Sequence, residues 1–493
     1  MRIVFLAPSG AMHRYNGNFG KVLHYAPLTL TTLASLIPAE IDAEVEIFDE
    51  SSEKIPLNIK ADLIVITCIT GTAQRCYAYS DYFRSRGIKT VLGGVHPSLM
   101  PDEALKHADV VMTGFSEFTF PQMIMDFKLK QLKRLYVQGN DFSMAGKPLP
   151  RRDLLKKGYI TKNTIEAVRG CSLPCTFCAY PAAFGKKIYK RPVKEVIEEI
   201  ETFNSKIVLF PDVNLIADRE YALELFREMI PLKKYWLGLA TSSVGIDDEL
   251  IDVFHKSGCK GLLIGFESIS QDSQKYVNKG INNVNGYSEL MKRLHDNGIL
   301  VQGCFAFGGD EEDASVFERT VEAVIKSKID LPRYSILTPF PKTDFYAELE
   351  KQGRIIEHNW AMYDVEHCVF QPKKMTKKQL EDGTAWAWNE TYKTKNILKR
   401  LAPFNHSPWL SFPLNFGYRN YAKKYEYFTK EVMCDNSDIP LSEGGEIRIE
   451  NNIYCSCHWK EKRRKIYRDL ENGTSYNSSI KISYSFRCRN SSL

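Results

Sequence analysis

A chain of 493 residues, 44% of them apolar and 26% charged, is too long for one ordinary core and too apolar for general disorder, so two or three folded domains are expected. Its 66 basic and 60 acidic residues leave a formal charge of +6, too small a surplus to argue for nucleic acid, and no nucleic-acid partner is expected. The start Met-Arg-Ile-Val-Phe-Leu-Ala-Pro lacks a secretory signal, no apolar run reaches the ~18 residues of a membrane span, and the cysteines form only one tight cluster.

A cytoplasmic enzyme with reduced thiols and no membrane span is therefore the expectation, with peripheral membrane association left open. Residues 1–130 repeat a short apolar run, a polar turn and a helical stretch, the pattern of a doubly wound parallel sheet, and a first domain is expected over 1–140. Strands are expected at Ile3–Ala7, Val45–Asp49, Leu63–Thr67, Thr90–Leu92 and Val110–Thr113. Ligands of such sheets lie beyond the carboxyl ends of the strands. Those exits carry Ser9 and Gly10, then Thr70 and Gly71, then Gly93, Gly94, Val95, His96 and Pro97, and finally Gly114, Phe115, Ser116 and Glu117. Glycine there lets backbone approach a large flat ligand, and an ordinary βα turn reads equally well.

Residues 141–160, with Pro148, Pro150 and the pair Arg151-Arg152, read as a linker. Residues 161–352 hold six further βα units, with strands at Thr164–Arg169, Lys206–Phe210, Leu237–Ser242, Gly261–Phe266, Leu300–Phe305 and Tyr334–Leu337. That series describes a partial (β/α)6 barrel, open on one side. Residues 353–493 are expected to form a mostly helical cap, with an amphipathic helix over Lys377–Arg400 carrying Trp386 and Trp388. Trp386, Trp388, Trp409 and Phe412 are weighed as substrate contacts against the plainer role of core packing. The last ~25 residues show no consistent period and receive no structure.

The first barrel strand runs into Arg169-Gly170-Cys171-Ser172-Leu173-Pro174-Cys175-Thr176-Phe177-Cys178-Ala179-Tyr180. Three thiolates on so short a loop suit a cubane, which ordinarily takes four cysteines, and leave one iron with an open position. A structural zinc site would need a fourth Cys or His from a second pair, and none lies nearby. Cys455-Ser456-Cys457-His458, with Cys434 or Cys488, is weighed as a second metal site against isolated thiols.

The C-x3-C-x2-C loop with Phe177 before its last cysteine resembles the signature of the radical S-adenosylmethionine (SAM) superfamily. Gly93-Gly94-Val95-His96-Pro97, Gly114-Phe115-Ser116-Glu117, Phe210-Pro211-Asp212-Val213-Asn214, Gly265-Phe266-Glu267-Ser268 and Thr338-Pro339-Phe340-Pro341-Lys342-Thr343 are similar to elements of its cobalamin-binding branch. That branch includes hopanoid methylases and the anaerobic magnesium-protoporphyrin ester cyclase. The resemblance spans about residues 1–380 and departs from the branch's pattern at Phe115, Ser116, Val213 and Lys342.

The resemblance implies an α/β chain with an N-terminal cobalamin-binding sheet domain, a radical SAM partial barrel and a mostly helical C-terminal region. It implies that Cys171, Cys175 and Cys178 ligate a 4Fe-4S cluster. Tyr180, Asp212, Asn214 and Glu267 become candidates for SAM, and the strand exits of the first domain for cobalamin. No Asp-x-His-x-x-Gly motif occurs, so cobalt is expected to lack a histidine ligand from the protein. The implied activity is methyl transfer to an unactivated carbon of a natural-product or lipid-like small molecule, with flavodoxin or ferredoxin as electron donor. Cyclisation without methyl transfer, and a noncatalytic cobalamin or iron–sulfur sensor, are the alternatives.

Overall fold

The computed structural model describes residues 1–9, 26–139, 141–156, 158–403, 407–431 and 439. Gly10, Cys434, Cys455, Cys457 and Cys488 lie outside these described residues. Residues 1–439 group into one compact unit. Among the described residues no helix is long and apolar enough to cross a membrane.

The first sheet is built from β1 (Arg2–Ala7), β2 (Glu44–Asp49), β3 (Leu63–Thr67), β4 (Lys89–Gly93), β5 (Val110–Thr113) and β6 (Leu135–Val137). All its pairings are parallel, in the order β2-β1-β3-β4-β5-β6. The chain reverses its direction of travel across the sheet between β1 and β3, where a crevice opens beyond the strand ends. Ile3, Val4, Phe5 and Leu6 are fully buried, as are Leu63, Ile64 and Ile66, because helices cover both faces of a parallel sheet. The sequence gives little sign of β6: it is three residues long and its alternate side chains Leu135 and Val137 are exposed.

The second sheet has β9 (Ile207–Leu209), β10 (Tyr235–Ala240), β11 (Cys259–Glu267), β12 (Leu300–Phe307) and β13 (Arg333–Ile336), all parallel and paired in sequence order. Behind β10, Trp236 stacks on Phe226 at 4.2 Å and meets Phe254 edge-on, locking the covering helices to the strands. The expected first strand is split. Thr164 makes a single parallel bridge to Leu209, whereas β7 (Val168–Arg169) leaves to pair antiparallel with β8 (Tyr189–Lys190). Asp212 accounts for the split, since its Oδ1 accepts the backbone N–H groups of Ala167 and Val168 that would otherwise join the ladder.

The expected helix over 377–400 is two helices, Lys377–Thr391 and Thr394–Leu401, the first opened by a reciprocal cap between Thr376 and Gln379. A further helix, Pro408–Glu431, packs on the first. Its Tyr418, Tyr421 and Tyr425 surround Trp388, whose ring is fully buried and whose indole N–H donates to the Tyr334 carbonyl at 3.1 Å. Trp388 is therefore core, while Trp386 and Trp409 are exposed.

Candidate functional site

The three cysteines occupy the loop between β7 and the short helix Ala179–Phe184, with Cys178 at the helix entry. Gly170 has φ +104°, and a Cβ there would collide with the Lys187 carbonyl oxygen, so the strand can turn into the loop only through glycine. The loop is tied down at Thr176, whose N–H donates to the Val277 carbonyl at 3.2 Å and whose carbonyl accepts from Phe345 N–H at 3.0 Å. All three cysteines are partly exposed, and beyond burial the charges of Cys178 and Cys171 push the Cys175 thiol up while that of Cys171 pushes up Cys178. Burial pushes the Cys175 thiol up to about 11, with the Lys279 ammonium pulling the other way. Among the described residues no three Cys, His, Asp or Glu side chains converge on a single metal ion. A cubane spreads its ligand sulfurs wider than one ion does, and three neighbouring thiols on one accessible loop suit that donor set.

Across the sheet, Glu267 ends β11 at a register shift and holds φ +59°, a left-handed conformation that a glutamate adopts at a cost of about 1–3 kcal/mol. Its carboxylate pairs with Lys279, and both side chains are nearly buried. The Lys279 ammonium is held above its ordinary value by the Glu267 carboxylate in spite of its burial, and its field reaches Cys175 and Cys304. The sequence reading missed Lys279. The only signal was a lone lysine in the Asn-Lys-Gly turn that follows a helix, which is indistinguishable from surface charge without the fold.

Asp212 lies buried, its Oδ1 engaged by the strand backbone and its Oδ2 without a hydrogen-bond partner among the described residues. Burial, helped by the Glu166 charge, raises its carboxyl to about 8. Asn214 Oδ1 accepts from Ile216 N–H at 3.3 Å in a local turn. Tyr180 packs against Phe184 at 5.1 Å on the helix leaving the cluster loop.

The strand exits of the first sheet meet the cluster loop. Helix Val95–Leu99, which follows β4, packs directly on helix Ala179–Phe184. Gly94 has φ +111°, and a Cβ there would stand 2.7 Å from the Cys68 carbonyl oxygen, so its smallness already serves the sheet. His96 is fully buried; its Nδ1 lies 3.3 Å from Thr70 Oγ1, its Nε2 3.6 Å from Glu103, and its ring meets Trp360 edge-on. Ser9 bonds Glu50 through both backbone and hydroxyl, and Gly71 lies against the Tyr363 carbonyl. Gly93 closes β4, Val95 and Pro97 belong to the helix after it, and the Gly114 N–H donates to Ser98 Oγ at 3.0 Å. Ile69, Phe118 and Val137, which follow or end β3, β5 and β6, are exposed.

Glu117 does not project into that crevice unaccompanied. Its Oε1 accepts from Lys147 Nζ at 2.9 Å and from Arg169, which also pairs with Glu166. Burial alone would raise its carboxyl, but Arg169 and Lys147 hold it down at about 2. Phe115 stacks on Phe184 at 4.7 Å and carries the Arg169 guanidinium 4.5 Å above its ring. The sequence reading missed Lys147 and Arg169, one placed in a linker and the other seen only as a flank of Cys171.

Comparison with known proteins follows the same geography. The profile of the Radical SAM superfamily matches residues 165–324. The chain is 29% identical over 409 residues to the bacteriochlorophyllide d C-12(1)-methyltransferase of Chlorobaculum tepidum, covering 79% of this chain and 88% of that protein. It is 24% identical to the anaerobic magnesium-protoporphyrin IX monomethyl ester cyclase of Rubrivivax gelatinosus, covering 81% of this chain and 79% of the relative. In fold it is similar to the cobalamin-dependent S-adenosylmethionine radical enzyme OxsB, with a TM-score of 0.61, 13% identity, and coverage of 97% of this chain and 82% of that one.

Proposed function

The chain carries a radical SAM domain, and from that premise we propose that it is a cobalamin-dependent C-methyltransferase whose cluster is held by Cys171, Cys175 and Cys178. The observation that carries this reading is the packing of the helix that leaves the three-cysteine loop on the helix that follows β4 of the doubly wound sheet. When bound, the cluster with SAM supplies a carbon radical and cobalamin supplies a transferable methyl group.

The protein's own work is orientation and exclusion of water. Gly170 and the backbone ties at Thr176 hold the thiolates in register. Lys279 and Glu267 present a paired cation and anion beside Cys175, matched to the zwitterionic end of an amino acid such as the methionine part of SAM. The packing of helix Val95–Leu99, at the carboxyl edge of the first sheet, on the helix that leaves the cysteine loop supports a shared site for two reagents that must meet at one carbon. The net reaction takes one C–H substrate, two SAM and two electrons to the methylated product, 5′-deoxyadenosine carrying the removed hydrogen, methionine and S-adenosylhomocysteine. A small reductant protein such as flavodoxin or ferredoxin belongs to the proposal, because the cluster must be reduced for each turnover.

Two relatives that act on tetrapyrroles make a chlorin-type macrocycle the first substrate to try within the natural-product class. The test is anaerobic turnover of the cobalamin-loaded enzyme with methyl-labelled SAM. Label found in a homologated product supports methyl transfer. An unlabelled, ring-altered product overturns it in favour of cyclisation.

A further inference from the structure

We propose that Phe115 and Glu117 are positioning residues for the cluster loop, acting through Phe184 and Arg169, rather than contacts to a cofactor of the first domain. This inference rests on the reading of Cys171, Cys175 and Cys178 as cluster ligands.

The two residues sit at the exit of β5, two positions apart, and grip the two flanks of the cysteine loop separately. On the entering flank, Arg169 lies two residues before Cys171 and its side chain is only 11% exposed. Every part of its guanidinium is committed: Nη1 to Glu117, Nε and Nη2 to Glu166, and the flat face to the Phe115 ring. Lys147 closes the group by donating to Glu117 at 2.9 Å, with Glu166 at 3.9 Å. Two carboxylates and two cations form a neutral buried set, in which removing one charge leaves a neighbour without its counterion. On the leaving flank, Phe115 stacks on Phe184, the last residue of the helix that begins directly after Cys178. Phe142 and Tyr189 complete the packing, with Phe142 5.0 Å from Phe115 and Tyr189 meeting it edge-on at 5.8 Å.

The backbone of Arg169 is fixed as well, by its pairing with Tyr189 and by Gly170 pressed on the Lys187 carbonyl. A shift of the β5 exit therefore moves Arg169 and Phe184 together, and the loop between them carries all three thiols. The first domain thereby sets the attitude of the cysteine loop.

The proposal is tested by reconstituting the full chain anaerobically with iron and sulfide as wild type, Glu117→Gln, Phe115→Ala and Phe115→Tyr. Each is read by iron content and by electron paramagnetic resonance of the reduced cluster with and without SAM. Wild type should give one narrow signal that changes on SAM addition. Glu117→Gln and Phe115→Ala should keep their iron but show a broadened signal and a Kd for SAM raised about tenfold, while Phe115→Tyr, which keeps the stacking, should return toward wild type. Signals and Kd within twofold of wild type in both variants would overturn the positioning role. So would loss of the folded chain in both, which would make the residues plainly structural. Absence of any 4Fe-4S signal in wild type would instead overturn the cluster reading itself.

Discussion

At the scale of single residues, Gly170 decides whether Cys171 can be presented at all. Gly170 combines φ +104° with a Cβ position occupied by the Lys187 carbonyl, so Gly170→Ala must either break β7 from β8 or misplace Cys171. Reconstituted Gly170→Ala should bind less than half the iron of wild type, measured by iron analysis of folded protein. Asp212 gives a signed pH effect. Its carboxyl is raised to about 8 by burial and the Glu166 charge, against about 4 in an unfolded chain. Between those values the folded protein holds a proton that the unfolded chain has released, so Asp212 costs stability increasingly as pH climbs from about 4 to about 8. Asparagine at 212 keeps an oxygen for Ala167 and Val168 but has no proton to lose. Thermal denaturation of Asp212→Asn should therefore gain on wild type as pH rises across that window, and a pH-independent difference would contradict this account. The cysteines and glycines were legible in the sequence because their chemistry is local. The burden carried by Asp212 was not, because it depends on which backbone amides the fold brings to it.

At the scale of elements, strands with unbroken apolar runs were legible and elements defined by their partners were not. β6 and the β7–β8 hairpin owe their existence to a neighbouring strand or to one carboxylate, and three- or two-residue segments leave no period to read. The helix Pro408–Glu431 was obscured by Pro413 and by tyrosines that read as surface until Trp388 gathers them. Helix packing in this cap also yields a prediction against simple propensity. Gly383 lies within Lys377–Thr391, where alanine would ordinarily gain about 1 kcal/mol. A Cβ at 383 would, however, collide with three atoms of the buried Phe317 ring, and overpacking of that kind costs about 1–3 kcal/mol. The buried ring is packed edge-on against Phe307, so the cost is expected to win. Gly383→Ala should lower the denaturation midpoint, and a raised midpoint would show that this helix and the helix Val316–Lys326, which carries Phe317, have room to part.

At the scale of the whole molecule, the doubly wound sheet and the open barrel were both legible from alternating βα rhythm, whereas the way they meet was not. The contact depends on side chains far apart in sequence, such as Glu117 with Arg169 and Trp360 with Glu103, and no local pattern announces such pairs. The same assembly buries His96 with its Nδ1 beside Thr70 and its Nε2 facing Glu103. With its two ring nitrogens facing Thr70 and Glu103, His96 is expected not to ligate cobalt. The cob(II)alamin form of the loaded protein should accordingly show no superhyperfine splitting from a histidine nitrogen in electron paramagnetic resonance, and a splitting lost in His96→Ala would refute the placement.

The central claim, that Cys171, Cys175 and Cys178 hold a cluster that cleaves SAM reductively, is tested most directly by counting 5′-deoxyadenosine. Wild type and Cys175→Ala are reconstituted side by side without oxygen, reduced, and given SAM. The account predicts 5′-deoxyadenosine from wild type and none above background from Cys175→Ala. Equal amounts from both, or none from an iron-replete wild type, would contradict it.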